Sequence, residues 1–183
     1  MTNLPSEPRR ATVEDFQTIV NLRKEAVSWL QTKGTDQWAE PWPSESKQND
    51  RIKRGLRDRA TWIVWDGWAP VATITAHPEG SARLWTPAER RQPAVYVHRL
   101  ITSRDYAGRK YGADLITWAA GRAARRFGAR TARIDVWTTN IALQDYYLGI
   151  GFTFLRYADC GDYPSTALFE RPIDDADREF ADG

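Results

Sequence analysis

Hydrophobic and polar positions change their spacing near the middle of the chain. Residues 94–101 form a nearly continuous run of apolar and β-branched side chains, which predicts a strand buried on both faces. Residues 103–108 are rich in Arg, Asp, Ser and Gly and predict a tight turn. From Arg109 onward apolar residues recur at helical spacing as far as Gly128, a candidate C-cap. This stretch therefore predicts a strand, a turn and a long helix in succession.

The same two kinds of spacing separate helices from strands along the rest of the chain. Apolar residues every three or four positions predict helices, and short β-branched and aromatic segments predict strands. Asp66-Gly67 predicts a turn that joins two of these strands into a hairpin. In chain order the predicted elements are a strand at 9–12, helices at 13–33 and 44–59, strands at 61–65, 69–76 and 94–101, a helix at 109–128, a strand at 130–137, a helix at 140–149, and strands at 152–158 and 166–171.

Two connecting segments are longer than simple turns. Residues 34–44 carry Trp38, Trp42 and two prolines, and this loop is either a packed plug or a lid over a substrate. Residues 77–93 contain three prolines and several charges. An excursion of this length is either related to a substrate or simply variable.

The composition is that of an ordinary globular protein. The chain has 183 residues, of which 42% are hydrophobic and 27% charged. We expect one domain over residues 1–173 and an acidic, solvated and mobile tail over residues 174–183. No apolar run approaches the roughly 18 residues of a membrane span, and the first ten residues lack the apolar segment of a secretory signal.

Charge and cysteine content narrow the function classes. The net charge of +2 is too small to indicate a nucleic-acid partner. Cys160 is the only cysteine, which excludes an intrachain disulfide and is typical of a reducing compartment. With only His77 and His98 besides, a zinc site is not expected. We therefore expect a cytoplasmic protein with no metal, no nucleic acid and no membrane partner.

The turn before the long helix has the features of an anion site. A helix start presents free amide N–H groups and a partial positive charge, and phosphate is the anion most often bound there. Gly108 and Gly112 allow a ligand to approach the backbone closely, and Arg104, Arg109 and Lys110 add positive charge. Many strand–turn–helix units bind nothing, so this stretch alone leaves a purely structural role open.

Two motifs resemble those of the GNAT superfamily of N-acetyltransferases. DYAGRKYG at residues 105–112 resembles the pyrophosphate loop, written Q/R-x-x-G-x-G/A. In it Ala107 takes the Q/R position, Lys110 the first Gly position and Gly112 the last. NIALQDYYLGIGF at residues 140–152 is similar to N-x-x-[AL]-x-x-x-Y-x-x-x-G-F. The residues that match the second motif are Asn140, Tyr147, Gly151 and Phe152.

The resemblance covers nearly the whole chain and implies both a fold and a reaction. The implied fold is the mixed α/β fold of GNAT acyl-CoA N-acyltransferases, with a mostly antiparallel central sheet that is flanked by helices and splayed at its central strands. The implied reaction moves an acetyl group from acetyl-CoA, the co-substrate, to a primary amine by direct attack in a ternary complex. We expect the acceptor to be a small molecule, and homodimers are common in the family.

The resemblance assigns acetyl-CoA to the end of the central strand and the loop after it. Backbone groups of Leu100 and Thr102 would pair with the pantetheine arm, and the N–H of Ile101 would contact the acetyl oxygen. Asn140 would bind the pantetheine or hold the loop after its strand. Lys110 either contacts a phosphate or obstructs it. The residues expected to bind the pyrophosphate or the 3′-phosphate are Arg104, Ala107, Gly108, Arg109, Lys110, Tyr111 and Gly112.

The resemblance also indicates which residues would take part in the reaction. Tyr147 matches the general acid that many GNAT enzymes place against the CoA sulfur, where it also contacts the co-substrate; otherwise it is a packed tyrosine. His98 lies on the central strand, where the family often has a carboxylate, and is either the base for the amine or a core histidine. Asp135 is another candidate base or an anchor for the amine. Trp38 and Trp42 would border the acceptor.

Two other functions stay open at this point. A GNAT-fold protein that acetylates a peptide or protein amine would need an open groove, which the Trp-rich loop and the excursion at residues 77–93 argue against. Ala107 and Lys110 depart from the pyrophosphate-loop pattern and leave open a non-catalytic module that binds CoA or another ligand.

Overall fold

The computed structural model describes residues 3–180, which form seven strands and six α-helices. The strands are β1 (Arg9–Arg10), β2 (Thr61–Asp66), β3 (Ala69–His77), β4 (Ala94–Thr102), β5 (Thr131–Val136), β6 (Thr153–Tyr157) and β7 (Ala167–Pro172). The helices are α1 (Phe16–Gln31), α2 (Glu45–Arg57), α3 (Pro87–Arg90), α4 (Tyr111–Phe127), α5 (Ile141–Gly149) and α6 (Asp175–Phe180), with 3₁₀ helices at Val13–Asp15 and Arg104–Tyr106. The predicted strands and helices are all present, and α3 and α6 are additional.

The strands form one sheet in the order β1-β2-β3-β4-β5-β7-β6. Strands β1 and β2, β2 and β3, β5 and β7, and β6 and β7 pair antiparallel. Strands β4 and β5 pair parallel, from Ala94 opposite Thr131 to Val97 opposite Ile134. The expected mixed, mostly antiparallel sheet is confirmed.

Packing divides the chain into two compact units. The first contains Asn3–Thr75 with Arg99–Leu115, and the second contains Ala76–His98 with residues 116–180. Each unit has a buried hydrophobic cluster of its own. The cluster of the first unit contains Ala11, Ile19, Val20, Ile52, Leu56 and Ile63. The cluster of the second contains Leu84, Trp85, Ala94, Tyr96, Ala158 and Leu168. The single domain expected over residues 1–173 stays a prediction.

Local sequence signals explain where the helices begin and end. Ser44 caps α2, because its hydroxyl oxygen accepts a hydrogen bond from the N–H of Lys47. Ile52 and Leu56 are the buried residues of that otherwise charged helix, as its spacing predicts. Helix α4 ends before Gly128, whose φ of +73° is the left-handed conformation that glycine adopts at helix ends.

The excursion at residues 77–93 belongs to the core of the second unit. Trp85 is buried, and its ring packs edge-on against Tyr96 at 5.4 Å between centroids. Thr86 and Glu89 form a capping box that begins α3. The segment therefore contributes a large apolar side chain to the interior as well as connecting two strands.

The acidic end of the chain differs from its predicted solvated state at one residue. Asp177 lies in α6 and is only 6% exposed, because its carboxylate pairs with Arg171 at 2.8 Å and accepts from the N–H of Asp174. The solvated interpretation is therefore wrong for Asp177. Residues 181–183 of the predicted tail lie outside the described residues, and the mobility of the tail stays a prediction.

Within residues 3–180, none of the helices combines the length and the hydropathy that a membrane crossing requires.

Candidate functional site

The loop between β4 and α4 presents backbone N–H groups at the start of a long helix. The amides of Gly108, Arg109 and Lys110 donate to no acceptor among the described residues, and all three residues are exposed. The first intrahelical bond runs from the N–H of Asp114 to the carbonyl of Lys110. Amides that lie before this bond, at the positive end of a 17-residue helix, form a cradle for an anion.

Two residues of this loop adopt the left-handed conformation, with φ of +80° at Gly108 and +61° at Lys110. Glycine takes this conformation without cost, but lysine does so with backbone strain. Lys110 stands where the resembled motif has glycine, and the structure gives it the backbone conformation that glycine favours. Its side chain is exposed, so the structure leaves open whether Lys110 contacts a phosphate or obstructs it.

Helix α1 holds the beginning of the loop in place. The carboxylate of Glu25 accepts hydrogen bonds from the N–H of Arg104 and the hydroxyl of Ser103. The guanidinium of Arg104 lies over the ring of Trp29, 3.8 Å from its centroid. Of the two arginines expected to reach a phosphate, Arg104 is thus packed against α1.

The other arginine of the loop, Arg109, is exposed and lies near an anchored tyrosine. Its guanidinium lies 5.2 Å from the centroid of the Tyr106 ring. The hydroxyl of Tyr106 donates to Asp66 at 3.0 Å, which ties the turn to the β2–β3 hairpin. The exposed guanidinium of Arg109 is therefore the better placed of the two to meet a phosphate in solvent.

Strand β4 bends where its pairing with β5 ends. The last pair is Val97 opposite Ile134, although β4 continues to Thr102 and β5 to Val136. Arg99 has a φ of +49°, which is incompatible with regular strand geometry and marks a kink like that of a β-bulge. Beyond the kink, Leu100 and Thr102 are half-buried and Ile101 is buried.

The next positions on the two strands bring a histidine and a carboxylate together. Nδ1 of His98 lies 3.3 Å from Oδ1 of Asp135, and no group within residues 3–180 donates to that buried oxygen with hydrogen-bond geometry. The other oxygen, Oδ2, accepts from the hydroxyl of Tyr163 at 3.1 Å. The ring of His77 lies 6.1 Å from that of His98. Both sequence candidates for the base thus occupy one cluster in the second unit.

Tyr147 is buried in the same unit and remains protonated. Its ring contacts Tyr146 and Phe152 edge-on, at 5.3 and 5.7 Å between centroids. Burial raises the pKa of the Tyr147 hydroxyl well above its usual value, and the charges of Tyr146 and Asp135 raise it further. The hydroxyl can therefore act as a proton donor at neutral pH but not as a resident phenolate.

Asn140 acts as the N-cap of α5. Its side-chain oxygen accepts from the N–H of Leu143 at 3.0 Å, and the residue is buried. The side-chain amide of Gln144 donates to the carbonyls of Trp137 and Thr138. Between them these two side chains fix the loop that follows β5, which is one of the two roles expected for Asn140.

Both tryptophans of the loop at residues 34–44 are half-buried in the first unit. The guanidinium of Arg51 in α2 lies 5.1 Å from the ring centroid of Trp42. Trp38 has a φ of +60°. These positions fit the packed plug as well as the lid, so the contact with an acceptor stays a prediction.

Sequence analysis missed three polar residues that shape these regions. Glu25 holds the loop between β4 and α4, which we call the anion loop. Tyr163 holds Asp135, and Arg133 is a fully buried cation on β5. Only Arg133 left a signal, since it is a charged residue flanked by apolar ones within a predicted strand. No described group of His, Cys, Asp and Glu is arranged to hold a metal ion.

Comparisons with known proteins agree on one family. The family model of the acetyltransferase (GNAT) family matches residues 23–152. The N-acetyltransferase YesJ of Bacillus subtilis, itself uncharacterised, is 28% identical over 171 residues, which are 89% of this chain and 88% of that protein.

Solved structures share the fold over nearly the whole chain. A GNAT acetyltransferase of Listeria monocytogenes has a TM-score of 0.70 at 20% identity and covers 91% of this chain and 94% of its own. The PaiA N-acetyltransferase of Thermoplasma acidophilum, solved in complex with coenzyme A, has a TM-score of 0.64 at 18% identity and covers 91% of this chain and 98% of its own.

Proposed function

The chain belongs to the acetyltransferase (GNAT) family and is a coenzyme A-dependent acyltransferase, and we propose that it acetylates a primary amine of a small molecule, with acetyl-CoA as the donor. The observation that carries this proposal is the buried Tyr147, whose pKa is raised by burial and which stands at the general-acid position of the resembled motif. A protonated hydroxyl is what a departing CoA thiolate requires.

The loop at residues 107–112 would hold the pyrophosphate of acetyl-CoA. Its exposed amides, the helix start and the side chain of Arg109 supply the partial and full positive charge that phosphate needs. Leu100 and Thr102, beyond the kink at Arg99, would offer their backbone groups to the pantetheine arm. The end of β4–β5 pairing at Val97 supports this role.

His98 and Asp135 would remove the proton from the amine. A neutral amine nitrogen attacks the thioester carbonyl carbon, the carbon–sulfur bond breaks, and the electron pair leaves on sulfur. The proton from nitrogen goes to the imidazole of His98, and Tyr147 donates a proton to the sulfur. Asp135 would orient the imidazole and stabilise its positive charge.

The acceptor side of the proposal rests on charge and apolar surface. Asp135 is a buried carboxylate that would attract a cationic amine before its deprotonation. Trp38 and Trp42 would provide flat apolar surface to the body of the acceptor.

Thiol release measures this reaction directly. We expect free CoA when the protein is mixed with acetyl-CoA and a suitable member of a panel of polyamines, amino acids and aminoglycosides. Tyr147→Phe keeps the ring and its packing, and we expect release to slow by about tenfold or more. Tyr157→Phe is the matched control, because Tyr157 is an exposed tyrosine on β6. An unchanged rate in Tyr147→Phe removes the tyrosine from the acid role.

Lys110 replaces a glycine at a strained position of the loop, so the binding of acetyl-CoA needs a test of its own. Calorimetry with acetyl-CoA supplies that test. Saturable heat with a micromolar dissociation constant, together with turnover of an amine, supports the proposal; the absence of binding would contradict the role given to the loop.

A further inference from the structure

Trp68 projects from the tip of the β2–β3 hairpin with nearly all of its surface in water. It is 97% exposed, and no described ring or charged group stacks on it. Tryptophan gains much from burial, so this indole offers a large apolar face to a ligand that packs on it.

Beside this indole lies an open pocket of about 320 Å³ within the first unit. Helix α1 forms one wall, with Asn21 and Glu25, and the hairpin forms the other, with Trp65, Trp68 and Pro70. The walls therefore combine two indoles and a proline ring with a carboxylate and an amide.

Glu25 is the only charged residue among those that line the pocket. Its hydrogen bonds from Arg104 and Ser103 both end on Oε1, and neither reaches Oε2. The one formal charge on the lining residues is thus negative, on a carboxylate that the N–H of Arg104 and the hydroxyl of Ser103 hold in position. Nearby, Trp65 already accepts a cation on its ring, with the Arg9 guanidinium 5.4 Å from the centroid.

We propose that this pocket binds a small organic cation, either a quaternary ammonium or a protonated amine with an apolar body. The carboxylate supplies the opposite charge, and the indoles supply faces of negative potential together with apolar surface. A neutral ligand of the same shape would use only the apolar part. This inference is tested by ligand binding and not by acetyl transfer, because Glu25 is the one lining residue that also contacts the loop proposed to hold the pyrophosphate.

Choline is a suitable probe, because its nitrogen carries no hydrogen and cannot be acetylated. Its uncharged carbon analogue, 3,3-dimethyl-1-butanol, has nearly the same shape. We would titrate each into the ¹⁵N-labelled full-length protein and follow the indole N–H signals, with Trp68→Phe used to assign the signal of Trp68. We expect a saturable shift of that signal with choline and binding of the alcohol that is weaker by about tenfold.

Two variants test the two parts of the recognition. Trp68→Ala removes an exposed ring, and Glu25→Gln removes the charge while it keeps an oxygen to accept from Arg104. We expect each to weaken choline binding by about fivefold or more. Glu14→Gln removes an equal charge from a residue outside the pocket and should leave the affinity unchanged.

Three results would each overturn the proposal. The first is the absence of a saturable shift up to about 50 mM choline. The others are binding of the alcohol as tight as that of choline, and an unchanged affinity for choline in Trp68→Ala. The Trp68→Ala measurement tests the proposal even if Glu25→Gln fails to fold. None of these results bears on acetyl transfer, which is measured separately by thiol release.

Discussion

Nδ1 of His98 lies 3.3 Å from Oδ1 of Asp135, at the first positions beyond the last pair of β4 and β5. The pairing of the two strands ends with Val97 opposite Ile134, and the two side chains belong to the next residue on each strand. Tyr163 holds the far oxygen of the same carboxylate at 3.1 Å. The carboxylate is thus fixed on one side and faces an imidazole on the other, where it would stabilise the positive charge of a protonated ring.

The first prediction concerns this histidine. His98→Gln removes the imidazole but keeps a polar side chain of similar length, and we expect kcat to fall by about a hundredfold if the imidazole takes the proton of the amine. Steady-state thiol release measures this, with the KM for acetyl-CoA as an internal control that should hardly change. Full activity in His98→Gln would place the histidine among the structural residues.

The second prediction separates Tyr163 from direct catalysis. Tyr163→Phe removes the hydroxyl that holds Asp135 and leaves the ring in place, so we expect a fall in kcat of about threefold to tenfold, on the scale of one lost hydrogen bond. A lower stability without a change in kcat would show that the hydroxyl serves packing alone.

The third prediction follows from the pKa of Tyr147. Burial raises the pKa of this hydroxyl in the folded chain above the roughly 10 of an unfolded tyrosine. The unfolded chain therefore releases the proton first as pH rises, so the stabilisation is complete below about pH 10 and is lost above it. Urea unfolding between pH 8 and pH 11 should show a steeper loss of stability in the natural protein than in Tyr147→Phe.

Parallel losses of stability in the two proteins would contradict this cause. The exposed Tyr157 supplies the control, because Tyr157→Phe should keep the steep alkaline loss of the natural protein.

The order of the elements could be predicted because it depends on spacing alone. Helix α4 and strand β4 each show their period over a long stretch, and Gly67 and Gly128 mark the ends of elements as glycines with positive φ. The kink in β4 could not be predicted, since the residue at positive φ is Arg99 and arginine carries no signal for that conformation.

The candidate site was predictable where one continuous motif carries it. The anion loop and Tyr147 lie within such motifs. The residues that hold the loop and Asp135 lie outside any such motif, because Glu25 binds an amide 79 positions away and Tyr163 binds the Asp135 carboxylate 28 positions away. Contacts at these separations depend on how the chain packs, and no local pattern of residues predicts them.

The fourth prediction tests the packing of the excursion before β4. A Cβ at Gly80 would lie 2.4 Å from the ring of the buried Tyr96, so Gly80→Ala should lower the free energy of unfolding by about 1–3 kcal/mol. Gly149→Ala is the matched control, because no described atom outside its own stretch of helix lies within 4 Å of the place that its methyl group would take, and alanine favours helices. Equal stability of the two variants in urea would mean that the excursion packs less tightly than described.

The last prediction concerns Arg133, a cation that is 1% exposed within β5. Its guanidinium donates to the carboxylate of Glu170, to the Tyr96 hydroxyl at 3.1 Å and to the carbonyl of Glu89 at 2.7 Å. The same group lies 5.3 Å from the centroid of the Trp85 ring, so it joins the excursion to the sheet from two directions.

Arg133→Met removes the charge and leaves these acceptors without a donor, and we expect a loss of about 3–5 kcal/mol in the free energy of unfolding. Arg133→Lys should recover only part of it, since an ammonium cannot reproduce the planar fork of donors. Lys47→Met is the control, because its ion pair with Asp50 lies on the surface at 3.9 Å and should contribute less than about 1 kcal/mol. Denaturant unfolding of the three variants measures these changes in the free energy of unfolding. If Arg133→Met lowers it no more than Lys47→Met does, the buried cation does not hold the excursion in place.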